Sequence, residues 1–392
     1  DPHATDLGAL VRHAPTLRFL RLREGHVFGP DLAKRLRSEL PLPAPGSADV
    51  RAHLLRHLLG DAPEDARAAA DHLGIGFHVV NLMRDYRKLV VHHLLDGYAR
   101  GLTPNPDVMC NREIKFDLFL EAALQLGADY VATGHYARRR DLPNGEIALL
   151  AGRDPNKDQS YFLCQLNQAQ LSKALFPIGE LLKPEVRQQA AARGIPTAAK
   201  RDSQGLCFIG KVRLPDFLQQ QLSVKPGAIV EVPASWEGWN NPEFGKPWPL
   251  HPAAGKVVGQ HQGAHFFTVG QRKGLLVGGK AEPLFVVATD TQENIVYVGQ
   301  GEHHPGLYRP FVHVASKDVH WVVPSRALKV GESAALQVRI RYRQPLQEAV
   351  LTALPDHSLR IDFALPQKAV APGQFAAWYD GEALLGSGAM AH

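Results

Sequence analysis

One change of texture constrains the fold of this chain more than any single motif: helical periodicity runs through its first half and fades near Val224. Before that point, helix-like stretches such as residues 63–73 alternate with short apolar runs at 77–80 and 130–132 that fit buried strands. Such alternation predicts an α/β fold with a doubly wound parallel sheet and ligands at the carboxyl ends of its strands. Beyond it, Pro, Gly and Trp crowd residues 233–252. Runs that alternate apolar and polar residues follow at 285–288, 295–298, 335–341, 359–363 and 375–379, separated by turn residues such as Asp380-Gly381. That pattern predicts a β-barrel or sandwich. The expected organisation is an α/β domain over residues 1–210, a small β-rich module over 211–272 and a C-terminal β-rich domain over 273–392.

Composition narrows the setting. Hydrophobic residues make up 45% of the 392 and charged residues 21%, enough apolar material for buried cores. No apolar run approaches the ~18 residues needed to cross a bilayer, and no signal-peptide pattern opens the chain. A soluble, cytoplasmic protein with no membrane partner is expected. The cysteines Cys110, Cys164 and Cys207 are too few and too scattered for a disulfide scaffold, which favours a reducing compartment. A formal net charge of +5 permits a polyanionic partner without requiring one.

The cysteines differ in setting. Cys110 ends Thr103-Pro104-Asn105-Pro106-Asp107-Val108-Met109-Cys110, where two prolines and two Asx residues predict a stiff turning loop rather than a helix. Ile114, Phe116, Leu118, Phe119 and Ala122 then begin an apolar helical face, so the thiol is expected near a helix N-terminus, where a thiolate is favoured. Cys207 lies in Asp202-Ser203-Gln204-Gly205-Leu206-Cys207-Phe208, a polar, Gly-containing turn. Both are expected to be partly accessible, whereas Cys164, inside Tyr161-Phe162-Leu163-Cys164, reads as a core residue. Cys110 and Cys207 are nearly a hundred positions apart, so no metal-knuckle spacing links them and no metal site is expected. A pair brought together by folding could perform persulfide and disulfide chemistry; the spacing is equally compatible with buried small hydrophobes.

Longer motifs extend the reading. Gly101-Leu102-Thr103-Pro104-Asn105-Pro106-Asp107, Cys110-Asn111 and Ile114-Lys115-Phe116 resemble the first cysteine segment of the tRNA 2-thiouridylases. Ala132-Thr133-Gly134-His135-Tyr136-Ala137, Lys157-Asp158-Gln159-Ser160-Tyr161-Phe162-Leu163 and Phe176-Pro177-Ile178-Gly179 follow in the family's order, and then the Cys207 segment. Thr268-Val269-Gly270-Gln271-Arg272-Lys273-Gly274-Leu275, Arg341-Tyr342-Arg343-Gln344, Pro372-Gly373-Gln374 and Leu385-Gly386-Ser387-Gly388 are similar too. The resemblance covers residues from about 61 onward and implies a PP-loop ATP pyrophosphatase-type α/β domain, a small β-rich module and a C-terminal β-barrel.

The resemblance also implies a mechanism. ATP, with Mg2+, adenylates the C2 oxygen of a wobble uridine in tRNA. The position of Cys207 takes a persulfide sulfur from a sulfur-relay protein, and the position of Cys110, the nucleophile, helps release it onto C2, leaving a disulfide between Cys110 and Cys207. Asn105, Pro106 and Asp107 would contact the target base, with Asp107 a candidate proton acceptor. Gly134 would let ATP approach closely. His135, Lys157, Asp158, Gln159, Arg341, Tyr342 and Gln374 would contact tRNA, and a monomer is implied.

The chain departs from the family at one point. The family's opening strand and Ser-Gly-Gly-x-Asp-Ser loop, whose N–H groups cradle pyrophosphate, have no counterpart in residues 1–60, which offer only Gly46-Ser47. An N-terminus that has been cut or replaced is expected. Two other readings stand beside the sulfurtransferase: a tRNA-binding homologue that has lost ATP activation, and a different adenylating enzyme such as an amidating synthetase. The paired cysteines and the β-rich half weigh against the last.

Overall fold

The computed structural model describes residues 62–200, 214–240 and 242–391, which fall into two compact units. In the first unit, the helix Ala62–Leu73 carries Glu64 and Asp65 in its first turn, where carboxylates complement the helix dipole. Burial alternates along 75–80, yet residues 77–80 join no strand ladder among the described residues. The strand expected at 77–80 is therefore not formed among the described residues: alternation sets the faces, but a strand also needs a hydrogen-bonding neighbour. The parallel sheet is represented among the described residues by β1 (Val131–Ala132) pairing in parallel with β4 (Ala174–Leu175). Between them, β2 (Ala137–Asp141) and β3 (Ile147–Ala151) form an antiparallel hairpin. Arg139 donates to the carbonyls of Leu171, Ser172 and Ala174, satisfying acceptors that the end of the helix Gln168–Ser172 leaves open. Ile114, Phe116, Tyr161, Leu163, Cys164 and Leu171 are all fully buried in this unit's core. The core placement expected of Cys164 holds.

The second unit contains residues 91–105 and 213–392. Helix His92–Ala99 packs Leu94 and Tyr98 against Leu218 of helix Leu214–Gln221. A four-stranded sheet follows, in the order β6 (Lys256–His261), β5 (Gly227–Glu231), β8 (Ile295–Gln300), β7 (Leu284–Asp290). Its alternate residues feed two separate cores. Val230 and Tyr297 join Trp239, Trp248 and Leu307 on one face, while Ile229, Val296 and Val286 join Leu275 on the other. The sheet takes strands from both sides of residue 272, so the boundary expected there falls inside one hydrogen-bonded unit; β5 and β8 pair in parallel across the intervening chain, a long-range contact that local pattern does not encode.

The last strands are β9 (Tyr308–Val314), β10 (His320–Trp321), β11 (Ser333–Arg339), β12 (Gln347–Ala353), β13 (Leu359–Lys368), β14 (Phe375–Asp380) and β15 (Ala383–Ala389). They pair in the order β15-β14-β11-β12-β13-β9, with β10 on β15. The Val314–Met390 bridge and the Ala391 N–H to His313 carbonyl bond bring β9 back to the chain leaving β15. The choice left open between barrel and sandwich resolves to a barrel. Alternate residues are buried along β11 (Leu336, Val338), β12 (Ala349, Leu351, Ala353) and β13 (Leu359, Ile361, Phe363), the period a half-buried strand demands. β11 stops at Arg339, two residues short of expectation, because Arg341 to Gln344 turn and Arg343 takes a left-handed φ of 68°.

The helix His92–Ala99 ends in a Schellman motif: Gly101, at φ 76°, donates to the Tyr98 carbonyl and Leu102 to that of Gly97. The ring of Pro104 folds back on this turn. A Cβ on Gly97 would lie 2.1 Å from Pro104 Cγ, and a proline ring has little freedom to yield. Gly97→Ala is therefore expected to destabilise the chain by about 1–3 kcal/mol, the usual cost of overpacking. Gly134→Ala, with nothing within 4 Å of the new methyl, is expected to leave stability unchanged. Denaturant unfolding of both variants checks the contrast, and equal midpoints would contradict it.

Candidate active site around Cys110

The residues implicated by sequence form two groups, one in each unit. In the second unit, the segment leaving Gly101 has prolines at 104 and, one residue beyond the unit, at 106, so it offers few backbone donors for a ladder. Side chains hold it instead. Thr103 N–H donates to the Pro372 carbonyl at 2.7 Å, and Gln374 Nε2 donates to the Thr103 carbonyl at 2.9 Å. Asn105, buried at 8% exposure, donates from Nδ2 to Gln374 Oε1 at 3.3 Å. Thr103 Oγ1 reaches Thr268 Oγ1 at 3.4 Å. Gln374, expected to touch tRNA, thus spends its amide on fastening Asn105 and Thr103. Arg341 is exposed and donates to the Ala369 carbonyl, and Arg343 lies over the Tyr342 ring at 5.5 Å.

In the first unit, Pro106 and Asp107 open a helix rather than continuing a loop: residues Pro106–Met109 are α-helical. Proline at the first helical position loses no hydrogen bond, and Asp107 in the first turn complements the dipole, so the residues read as helix breakers act as a helix start. The helix widens to i→i+5 winding over Cys110–Leu118 and returns to α over Phe119–Gln125. Wide turns of this kind are rare and concentrate at functional sites. Cys110 is fully buried, as are Val108 and Ile114 of the same helix. Its expected partial accessibility is corrected, because the helix begins earlier and turns the thiol into the core. Among the described residues, no disulfide joins Cys110 or Cys164. Cys207 lies outside the described residues.

Beside Cys110, Asn111 is 2% exposed, donates to the Phe162 carbonyl at 2.8 Å and accepts from Lys115 Nζ at 2.9 Å. Arg112 donates to Gln165 at 2.8 Å. These bonds join the Cys110 helix to the strip that follows Lys157-Asp158-Gln159. Lys157 is half-buried. Asp158, expected to contact tRNA, is 5% exposed, and one carboxylate oxygen accepts from the Gly152 and Ser160 amides, so this side chain builds the turn. Gln159 and Tyr136 exchange two bonds, of 3.0 and 2.8 Å, which ties this strip to the loop after β1.

That loop leaves the carboxyl end of β1, where α/β folds place ligands. Thr133 continues the pairing to Leu175, Gly134 is exposed with open space about it, and His135 turns inward at 9% exposure. His135 shares a 2.8 Å hydrogen bond with Thr133 Oγ1 and packs between Phe116 and Phe176. Burial, reinforced by the nearby Lys115 ammonium, holds its pKa well below the usual histidine value, so the ring is neutral at physiological pH. Any contact it makes with RNA uses packing or a neutral hydrogen bond. Lys115 and Asn111 had no role assigned from sequence; the readable signal was their i,i+4 spacing directly after Cys110. Among the described residues, no group of three His, Cys, Asp or Glu side chains could hold a metal ion.

Comparison with known proteins gives three family matches in order. They are the tRNA methyl transferase HUP domain over residues 57–211, the tRNA methyl transferase PRC-barrel domain over 244–300 and the aminomethyltransferase beta-barrel domain over 312–390. The chain is 53% identical over 345 residues to the tRNA-specific 2-thiouridylase MnmA of Christiangramia forsetii, covering 84% of this chain and 87% of that protein. It is 51% identical over 341 residues to that of Flavobacterium johnsoniae, with 83% and 86% covered. Against the Pseudomonas paraeruginosa protein the identity is 45% over 330 residues, with 83% and 80% covered. At such identity over most of both chains, with three domain matches in one order, this chain belongs to the tRNA-specific 2-thiouridylase family.

Proposed function

We propose that this chain transfers sulfur to carbon 2 of the wobble uridine of tRNA, with Cys207 carrying the incoming sulfur as a persulfide and Cys110 as the attacking thiol. The observation that carries this reading is the Asn105 to Lys115 segment. There a wide-wound helix, opened by Pro106, carries a buried thiol next in sequence to the Asn111–Lys115 pair, in a chain more than half identical to a 2-thiouridylase. Residues up to about 210 form the catalytic domain, and the β-rich remainder supplies tRNA contacts through Arg341 and Tyr342. Gln374 serves by fixing Asn105 for the target base.

The Cys110 thiolate attacks Sγ of the Cys207 persulfide, a new S–S bond forms, and the terminal sulfur leaves as sulfide. The sulfide adds to C2 of the uridine and the activated C2 oxygen departs. The disulfide between Cys110 and Cys207 is reduced before the next turnover by exchange with an external dithiol, which leaves as its own disulfide. Asp107, in the first helical turn and half-buried, is positioned by sequence to take a proton from the base. ATP would supply activation of the C2 oxygen. Gly134 fits it in part: the glycine is exposed at the end of β1 and leaves open space for close approach. Mg2+, the sulfur donor protein and a monomeric, cytoplasmic state complete the proposal.

Cys110→Ser and Cys207→Ser are each expected to abolish formation of 2-thiouridine while leaving tRNA affinity unchanged, and Cys164→Ala to retain activity. Mass analysis of nucleosides from treated tRNA reads the outcome; thiolation surviving in either serine variant would refute the assignment. For Gly134→Ala the expectation is a rise in the KM for ATP without loss of stability, measured by tRNA-dependent pyrophosphate release. Absence of any release from a parent chain that still binds tRNA would favour the tRNA-binding homologue without ATP activation.

A further inference from the structure

The loop between Gly270 and Pro283 carries a combination of features that its own fold does not use. Leu276 is 97% exposed and has a φ of 55°, a left-handed conformation that glycine adopts freely and leucine rarely. Its neighbour Leu275 is buried in the core beside Ile229 and Val286, so the exposed tip stands on an anchored stem. The stem is stitched on both sides. Gly270 N–H donates to the Val286 carbonyl at 2.7 Å and Val286 N–H to that of Gln271 at 2.9 Å. Gln271 also accepts from Thr268 N–H at 3.1 Å and donates to the Lys273 carbonyl at 2.8 Å. Arg272 and Lys273 project from this stem, both exposed, and neither side chain has a hydrogen-bond or ion-pair partner among the described residues. Lys280, at the loop's far end, is neutralised by Glu231. Beside the tip lies an open hollow of about 410 Å³, lined by Arg272, Leu275, Leu276, Val277 and Leu284.

The root of this loop touches other functional candidates of the same unit. Gly270 sits at φ 86°, where a Cβ would approach Ala369 Cβ to 2.4 Å, and Arg341 donates to the Ala369 carbonyl. Two residues earlier Thr268 meets Thr103, which is itself held by Gln374. A chain of contacts therefore runs from Asn105 through Gln374, Thr103 and Thr268 to the loop, and from the loop to Arg341. Glycine at 276 would relax the backbone and lose no packing, so what leucine contributes lies outside the folded chain. Two uncommitted cations beside one bare apolar tip match phosphates flanking an exposed nucleoside, since RNA is gripped by its backbone and by packing on unstacked bases or sugars.

We propose that residues 272–276 are an RNA-gripping finger: Arg272 and Lys273 bind backbone phosphates of the tRNA, and Leu276 packs on a nucleoside at the mouth of the hollow. This rests on the tRNA reading above and adds a contact to it. The test measures equilibrium binding of substrate tRNA to the full chain across a salt series, with thermal unfolding of each variant alongside. For Leu276→Gly the expected result is an unfolding midpoint equal to or above the parent's, with affinity weakened about tenfold, the scale of one lost base contact. Arg272→Ala with Lys273→Ala should shallow the log–log salt slope by about 1.5, close to one unit per lost phosphate contact. Parent-like affinity and slope in both variants, while the parent binds tRNA salt-dependently, would overturn the finger and leave the sulfurtransferase reading intact. A parent that does not bind tRNA would overturn both. Unchanged tRNA binding with lost sulfur delivery from a persulfide-carrying protein would also overturn it, in favour of a protein-docking loop.

Discussion

The local architecture of residues 101–105 depends on one side-chain amide. A segment with Pro104 inside it and Pro106 directly after it lacks two backbone donors and cannot be held by a strand ladder. Gln374 substitutes for the ladder, accepting from Asn105 and donating to the Thr103 carbonyl, while Pro372 accepts from Thr103 N–H. Donor and acceptor are used together, and only an uncharged amide offers both at one carbon. The Schellman turn at Gly101 and the Pro104 ring seated on Gly97 deliver the segment to that amide. The residue immediately before the Cys110 helix is thereby specified by bonds from more than 250 positions downstream.

Within the first unit the corresponding device is electrostatic. Lys115 is bonded to buried Asn111, and its charge acts with burial to keep His135 neutral. A cation beside a neutral ring gives this part of the first unit a positive bias with no protonated histidine to compete. That bias suits a site whose substrates are polyanions. The wide winding of Cys110–Leu118 places Asn111 and Lys115 on the same side of the helix, at the cost of an irregular hydrogen-bond ladder. A buried Cys110 also means that access to its sulfur requires local opening of this helix or its neighbours.

Much of the second unit was legible, because half-buried antiparallel strands write their faces into the sequence with a period of two. The runs at 285–288, 295–298, 359–363 and 375–379 all lie within strands. The domain edge at 272 was misplaced, since the parallel pairing of β5 with β8 joins residues some seventy positions apart. Around the site, the Cys110 segment was found by motif, but its burial was misread. Proline and aspartate have opposite meanings inside a helix and at its start, and the sequence alone does not say which position they hold. The burial of Asp158 was not legible for a related reason: a carboxylate that caps a buried turn is indistinguishable, as a letter, from one that faces solvent.

What the sequence by itself determined is the order of modules, the α/β and β-rich textures and the family with its motif residues, all of which rest on local period and motif. What only the tertiary structure decided is which way those residues face and what holds them. The inward turn of Cys110, the neutral state of His135, the capture of Asn105 by Gln374 and the bare tip at Leu276 arise from contacts between residues distant in the chain. Such contacts depend on burial and on competition for hydrogen-bond partners in three dimensions, and no local pattern of residues records that competition.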